Sequence, residues 1–354
     1  MTTSPPAAER LRLATATEWR AALDADPEAV VSQSPEWVAT ACADGTLVDR
    51  TAAVGRGGRE LVLPLVRRRR APSRLARAGS MPAAWGYGGI VGRPDVDDVR
   101  DALRDLATTG WLQTVIRPLP DADPLWRRAS DDVRAEGVRI VRIPRRAHVV
   151  DLDGGRDAVW GALSSSRRRG VRKAEKAGLE VVDSDDGRLL DDYHHLFEQS
   201  VLRWAEHQRE PASLARARAR RRDPKEKLRR LMTLPGGRSR VSIAYLAGEP
   251  VAGVVVLQDR NAHYTRGAMD KERASATNAN DLLMWRAIEH AVDRGCRRFH
   301  MGESGTSANL ASYKERFGAR AVDYGEYRVE RLPLTAVDQR LRRVVKAAVG
   351  FRDA

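Results

Sequence analysis

Cysteine is nearly absent. Cys42 and Cys296 are the only two in 354 residues, far apart and without a CxxC or a histidine-rich spacing. A disulfide framework or a zinc site is therefore not expected, nor any other metal, and a reducing, cytoplasmic setting is the default expectation. No apolar run approaches the ~18 residues of a membrane span. The first twenty residues, MTTSPPAAERLRLATATEWR, carry Arg10 and Arg12 but no apolar stretch, which predicts no secretory leader. Lysine is scarce too: seven of the 62 basic residues, the remainder being arginine. No repeat of about 20 to 50 residues is visible, so a solenoid or propeller is not expected.

What is present is positive charge. The net charge is +14, which suits an anionic partner such as a nucleic acid, a nucleotide sugar or a membrane surface, so peripheral membrane contact is open. Arginine is nevertheless scattered through an alanine-rich chain, so the excess alone defines no face. The length allows two domains, each with its own core.

The first half mixes short helices and strands. SPEWVATACADG (34–45) reads as a helix capped by Ser34, with Pro35 in its first turn and Gly45 past its end. RELVLPLVRRRR (59–70) reads as one apolar strand running into a basic exit. WGYGGIVG (85–92) reads as a glycine- and aromatic-rich loop, and no GxGxxG leads a strand into a helix there. DVDDVRDALRDLATTG (95–110) is an amphipathic helix, and LQTVIRPL (112–119) a strand. A second unit is expected from about residue 148. DAVWGALSSSRRRGVRKAEKAG reads as one helix with Trp160, Leu163, Val171 and Ala174 inward. RLLDDYHHLFEQSVLRWAEHQ (188–208) is a long helix with Leu189, Tyr193, Leu196, Phe197, Ser200, Val201 and Trp204 inward. ASLARARARRRDPKEKLRRLMT (212–233) is a basic helix pair broken at Pro224.

The clearest pattern follows. Residues 238–269 read as three strands joined at AGEP (247–250) and DRNA (259–262). NANDLLMWRAIEHAVDRG (278–295) is a helix, RRFHMG a strand, ANLASYKERFGA a short helix, VDYGEYRVE a closing strand, and TAVDQRLRRVVKAAVGF a terminal helix.

AYLAGEPVAGVVV, NDLLMWRAIEHAVDRGCRRFHMGES and YKERFGA, in that order, resemble the Fem-type peptidoglycan bridge aminoacyltransferases and the related GNAT-like (N-acetyltransferase-like) proteins of cell-envelope and exopolysaccharide loci. SSSRRRGVRKAEKAGLEV resembles the opening helix of their C-terminal half; SQSPEW, LPLVRRR and GYGGIVG resemble their N-terminal half. The resemblance covers roughly residues 30–330. It implies an α/β (α+β) fold of tandem GNAT-like domains, with mixed central sheets flanked by helices and an acceptor site in a cleft. The expected domains are 1–147 (N-terminal), 148–334 (acyltransferase) and a helical tail, 335–354.

One departure concerns the donor. Coenzyme A-dependent GNAT enzymes resemble one another in a glycine-rich loop whose amides cradle a pyrophosphate before the central helix. Here DKERASAT (270–277) is read as that loop, and it holds no glycine. Lys271, Arg273 and Asn280 are the candidate donor-binding residues. Fem-type enzymes resemble GNAT proteins in fold but take the acyl group from aminoacyl-tRNA, so both acetyl-CoA (or another acyl-CoA) and aminoacyl-tRNA stay open as donor, and tRNA as partner.

Acyl transfer to an amine needs a neutral amine, a donor carbonyl held beside it, and positive charge where the oxyanion forms. Lys314 in YKERFGA matches the lysine that the resemblance implicates in oxyanion stabilisation; the alternative is an exposed helix lysine paired with Glu315 or Glu303. Glu303, at the end of a strand, is a candidate to orient the amine or accept its proton, or else a turn acid. Arg167, Arg168, Arg172 and Lys173 on the basic helix are candidates to face an anionic acceptor, since arginine binds phosphate bidentately; helix geometry prevents all of them from facing one ligand. Tyr264 and Tyr313 are candidates to line the acceptor site, with core packing as the alternative. Alternation places His263 and Tyr264 on opposite faces. His300 reads as a core histidine. The run from Arg216 to Arg230 lacks interleaved aromatics, so it offers phosphate contact at most.

The expectation is an acyltransferase moving an acyl or aminoacyl group onto an amine of an anionic, cell-envelope-precursor-like acceptor. The alternatives are an acyl-CoA-dependent N-acetyltransferase on a small amine or sugar, and a non-catalytic envelope, polysaccharide-accessory or RNA-binding protein.

Overall fold

The computed structural model describes residues 11–55, 58–81, 85–305 and 307–349; the first half of the stretch read for a leader lies outside them. In chain order the elements begin with α1 (Ala16–Ala25), α2 (Pro35–Cys42) and the short strands β1 (Leu47–Asp49), β2 (Ala52–Ala53), β3 (Val62–Leu63), β4 (Val66–Arg68) and β5 (Arg77–Ser80). Then come α3 (Val96–Thr108), β6 (Gln113–Ile116), α4 (Asp123–Ala135), β7 (Ile140–Asp151), α5 (Gly155–Ala162), α6 (Ser165–Glu175) and β8 (Leu179–Ser184). They are followed by α7 (Leu190–Gln208), α8 (Ala212–Arg222), α9 (Lys225–Met232), β9 (Ser239–Leu246), β10 (Glu249–Gln258) and β11 (Ala262–Met269). The chain ends with α10 (Lys271–Thr277), α11 (Ala279–Asp293), β12 (Arg298–Glu303), α12 (Ala308–Glu315), β13 (Arg320–Glu330) and α13 (Leu334–Val349).

These elements form two compact units. One holds Met1–Arg146 and Val322–Val344, the other Ala147–Ala321 with the last residues of the chain. The first boundary falls between Arg146 and Ala147. The closing strand does not stay with the second unit: β13, placed by sequence in a domain ending at 334, pairs antiparallel with β6 of the first, Tyr327 opposite Ile116.

In the first unit α3 and α4 cover a mixed sheet in the order β1-β4-β5-β6-β13-β7. Val99, Leu103, Leu106, Trp126, Val133 and Tyr327 fill its core. α2 is capped as its sequence predicts, the Ser34 hydroxyl accepting from Trp37 N. The single strand expected over 59–70 is instead two, β3 and β4, in different sheets. Pro64 separates them, because proline has no N–H to give a ladder.

In the second unit the order is β7-β12-β11-β10-β9-β8. β9, β10 and β11 are an antiparallel meander. Ala247 and Gly248, both at positive φ, make its first turn, the two-residue hairpin geometry whose twist matches the strands. β12 then joins parallel to β11. α5, α6 and α11 bury Val159, Leu163, Val171, Leu282, Trp285 and Ile288 against Phe299 and Met301 of β12.

Three expectations change here. The long basic helix is two, because Leu163 is extended and Ser164 caps a new start, accepting from Arg167 N. Residues 271–277 are a helix rather than a loop: Asp270 caps it through Glu272 N and Arg273 N, and a glycine-free, alanine-rich stretch has no reason to open. On α7, Ala205 takes the buried position expected of Trp204, which is exposed.

α8 and α9 break at Pro224, as their sequence predicts. Their junction is pinned by Asp223, a buried carboxylate that accepts from Lys227 Nζ (2.9 Å), Arg266 Nη2 of β11 (2.8 Å) and Arg222 Nε (2.9 Å). Burial alone would raise its pKa; Arg266 and Lys227 overcome this and hold it below the carboxylate range. Asp223→Ala would strand the buried Lys227 ammonium. The expected loss is about 3–5 kcal/mol of stability, read from urea unfolding, while Arg229→Ala on the exposed side of α9 should leave the midpoint unchanged.

Candidate functional site

The site is built on an irregularity in β12. A strand's successive carbonyls normally point to opposite sides. Between His300 and Gly302 the register of β12 against β7 slips by one residue, and Gly302 sits at φ +71°. Such bulges re-aim backbone groups. Here the carbonyls of Gly302 and Glu303 both accept from one donor, Lys314 Nζ, at 3.1 and 2.8 Å. Lys314 is carried by α12, which Ser307 caps through Leu310 N. The lysine is 3% exposed, so it is not a solvated helix lysine. Burial lowers its pKa to about 8, against the opposing field of Glu303. The unfolded chain holds that proton up to the ordinary lysine range, so raising the pH from about 8 stabilises the unit through this residue. The Glu303 side chain is half-buried.

A second cluster adjoins Lys314 through its neighbour. The Tyr313 hydroxyl donates to Asn280 O (3.3 Å), and its ring lies 5.1 Å from Phe317. The Arg167 guanidinium covers that ring at 5.4 Å and donates to Asp281 Oδ1 at 2.6 Å. Asp281 is 4% exposed; burial raises its pKa and Arg167 pulls it back. It reaches α6 only because residue 170 is glycine. A Cβ there would lie 2.1 Å from Asp281 Oδ2. The Asn280 amide donates to Met269 Sδ at 2.6 Å. Burial, and then the charges of Asp281 and Tyr264, drive the Tyr313 phenol well above its usual range.

β11 carries a bulge of its own. The pairing steps from Val255–Arg266 to Val256–Tyr264, leaving Thr265 over. Tyr264 and Gly267 are thereby brought to one side, and the Tyr264 hydroxyl occupies the place a Cβ on Gly267 would take, 1.9 Å away. Burial pushes that phenol up to about 12. His263 lies opposite His300 in the parallel pair, their rings 6.3 Å apart. Burial, with His300 as the next contributor, lowers His263 to about 3, so it is neutral at physiological pH.

Lys314 and Glu303 meet at the end of β12, and Arg167, Asn280 and Tyr313 form the adjoining cluster, with Tyr264 packed on the same core. The other candidates lie in the same unit but make no contact with these groups among the described residues. Arg168 donates through Nη1 to the carbonyls of Gly161 (2.8 Å) and Leu163 (2.5 Å), tying off the end of α5. Arg167 is likewise committed inward, to Asp281. Arg172 is exposed over the Trp160 ring at 5.8 Å, and Lys173 is exposed. Lys271 and Arg273 are exposed on α10, Arg273 with Asp270 at 3.8 Å. Asp281, Gly170 and Gly302 were not anticipated. A glycine inside α6 costs about 1 kcal/mol against alanine, and that cost was the available sign of a close approach.

Residues 164–315 match the family model described as an acetyltransferase (GNAT) domain, a span that runs from the cap of α6 to the end of α12. Among solved structures, FemX is 16% identical with a TM-score of 0.57, over 92% of this chain and 98% of that one. A conserved protein of unknown function from Bacteroides thetaiotaomicron is 8% identical with a TM-score of 0.56, over 90% and 98%. The C-terminal domain of a candidate lysylphosphatidylglycerol synthetase from Agrobacterium fabrum is 13% identical with a TM-score of 0.50, over 94% and 96%. At these identities the likeness is one of fold. No curated protein matches the sequence.

Gly170→Ala tests the second cluster. Alanine is the better helix residue by about 1 kcal/mol, so a carboxylate free to swing aside would leave the variant more stable. The Asp281 contact instead predicts a loss of about 1–3 kcal/mol in chemical denaturation.

Proposed function

We propose that this chain, whose residues 164–315 match an acetyltransferase (GNAT) domain and whose fold is similar to that of FemX, is an N-acyltransferase in which Lys314 meets the developing oxyanion. The observation that carries this reading is the anchoring of one buried ammonium by two consecutive carbonyls. An ammonium has three N–H donors. The carbonyls of Gly302 and Glu303 fix two, and the third remains for a reacting oxygen. A fixed cation in a dry setting stabilises developing negative charge without having to reorganise.

In the proposed step the acceptor amine attacks the donor carbonyl carbon. The new C–N bond forms, the carbonyl oxygen takes up negative charge beside Lys314, and collapse expels the donor's oxygen leaving group. Glu303, at the end of the same strand, accepts the proton the amine loses. Tyr264 and Tyr313 border the reacting groups, and Arg172 and Lys173 lend positive charge to an anionic, cell-envelope-precursor-like acceptor.

The donor in this reading is an aminoacyl ester of tRNA. The residues present do not fit the pyrophosphate of an acyl-CoA. The segment before α11 is helical and glycine-free, and the first turn of α11 carries the buried carboxylate of Asp281 where an anion would need bare amides. Acyl-CoA is the second reading, favoured by the acetyltransferase description of the matched domain.

Lys314→Ala should lower kcat/KM by about 10²–10³-fold in transfer of a labelled aminoacyl group from charged tRNA, with the thermal unfolding curve still cooperative. Full activity in that variant would remove Lys314 from the mechanism. Activity of the native protein should fall above about pH 8 as the ammonium loses its proton. Lys314→Arg, which stays charged, should lack that alkaline fall. Calorimetry with coenzyme A should show no micromolar binding; a tight isotherm would instead favour the acyl-CoA reading.

A further inference from the structure

α8 carries the part of the basic run that the rest of the fold leaves alone. Of the nine cations from Arg216 to Arg230, six meet a carboxylate. Arg218 donates to Glu210, Arg222 and Lys227 donate to Asp223, Lys225 pairs with Asp191, and Arg229 and Arg230 share Glu226. Arg216, Arg220 and Arg221 are exposed and meet no carboxylate among the described residues. α8 rests on its unit by Ala215 and Ala219, 1% and 8% exposed, and its end is tied through Asp223 to Arg266 of β11. At about 100° per residue, Ala217 points directly away from those two alanines. Arg221 and Arg220 lie about 40° and about 60° to either side of Ala217, and Arg216 lies about 100° from it, beside Arg220. No acid occurs between Ala212 and Arg222. Like charges four residues apart, as at Arg216 and Arg220, destabilise a helix, and no described carboxylate relieves them.

Relief must come from an anion outside the unit, and the spread of the charge selects its kind. The three guanidiniums fan over about 140° of the helix surface, so one small anion cannot collect them, whereas a chain of phosphates can. A second copy of this chain would bring cations against cations, at a net charge of +14. A helix that lies in a lipid surface sets an apolar face against a cationic one. On α8 the large apolar side chain that is exposed is Leu214, in the first turn, and the residue amid the arginines is Ala217. α8 carries no aromatic residue, so the contact is to phosphate rather than to bases and is independent of sequence.

We infer that the outward face of α8 holds the phosphate backbone of an RNA. The inference rests on the reading of an aminoacyl-tRNA as donor, and its test reads binding without turnover. Binding of 5′-labelled, uncharged tRNA to the full chain is followed by fluorescence anisotropy across a salt series. The native chain should bind, with an affinity that falls steeply as salt rises. Arg216→Ala/Arg220→Ala/Arg221→Ala alters exposed side chains only, so it should unfold at the native temperature. Its affinity should fall at least about tenfold, and its salt slope should become shallower by about three, one for each arginine. Arg216→Lys/Arg220→Lys/Arg221→Lys keeps the charge, since lysine meets phosphate as a point charge, and should bind within about threefold of the native chain. Equal affinity in the alanine variant overturns the inference and leaves the donor reading standing. Failure of the native chain to bind tRNA overturns both. Sedimentation with phosphatidylglycerol vesicles is the third arm: vesicle binding that the alanine variant loses, with its tRNA binding intact, overturns the inference in favour of a lipid surface.

Discussion

One buried ammonium on two consecutive carbonyls is the constraint on which the proposed chemistry depends. Moving a lysine out of water is costly, and an unpaired one would shed its proton or its burial. The slipped register of β12 and the positive φ of Gly302 let a single strand end supply both acceptors. The resulting contact fixes the distance between β12 and α12, and with it the position of Tyr313. Lys314 is thus both a strut between two elements and a cation whose proton affinity has been brought near the working range of an enzyme.

Several arginines are spent on internal order. Arg167 holds Asp281, Arg168 ties off α5, and Arg266 meets Asp223. In the first unit, Glu326 is buried among Arg117, Arg145 and Arg328. A planar guanidinium suits this, since it remains charged when partly buried and can satisfy several acceptors in one plane. The high net charge therefore overstates how much positive surface is free for a partner. The cations left outward on α6, Arg172 and Lys173 among them, are a subset of the run that first draws attention.

Periodicity and turn chemistry made much of the fold readable. The meander, its two turns, α11 and the break at Pro224 all follow from local signals that agree with the tertiary outcome. The misread elements have separate causes. The expected strand over 59–70 was divided by a proline whose missing donor matters only once sheet partners are known. The basic helix was split at Ser164, where a serine run gave a cap as readily as a helix interior. Residues 270–277 were read by analogy as a loop, although their composition favours a helix. At the site, Lys314 and Glu303 could be picked out from motif and strand end. Asp281 could not, because its role depends on the absence of a side chain at Gly170, 111 positions earlier on another helix. Nor could Gly302, whose importance lies in a register slip that one strand's sequence does not encode.

The discontinuous make-up of the first unit bears on how the polypeptide is born. Its β6 waits for β13, which leaves the ribosome only after all of Ala147–Ala321 has been made. The middle segment is contiguous and has its own core, so it is able to collapse during synthesis, whereas the N-terminal segment must keep an open strand edge until the last strand arrives. Nascent chains stopped before Arg320 should therefore offer that edge to chaperones.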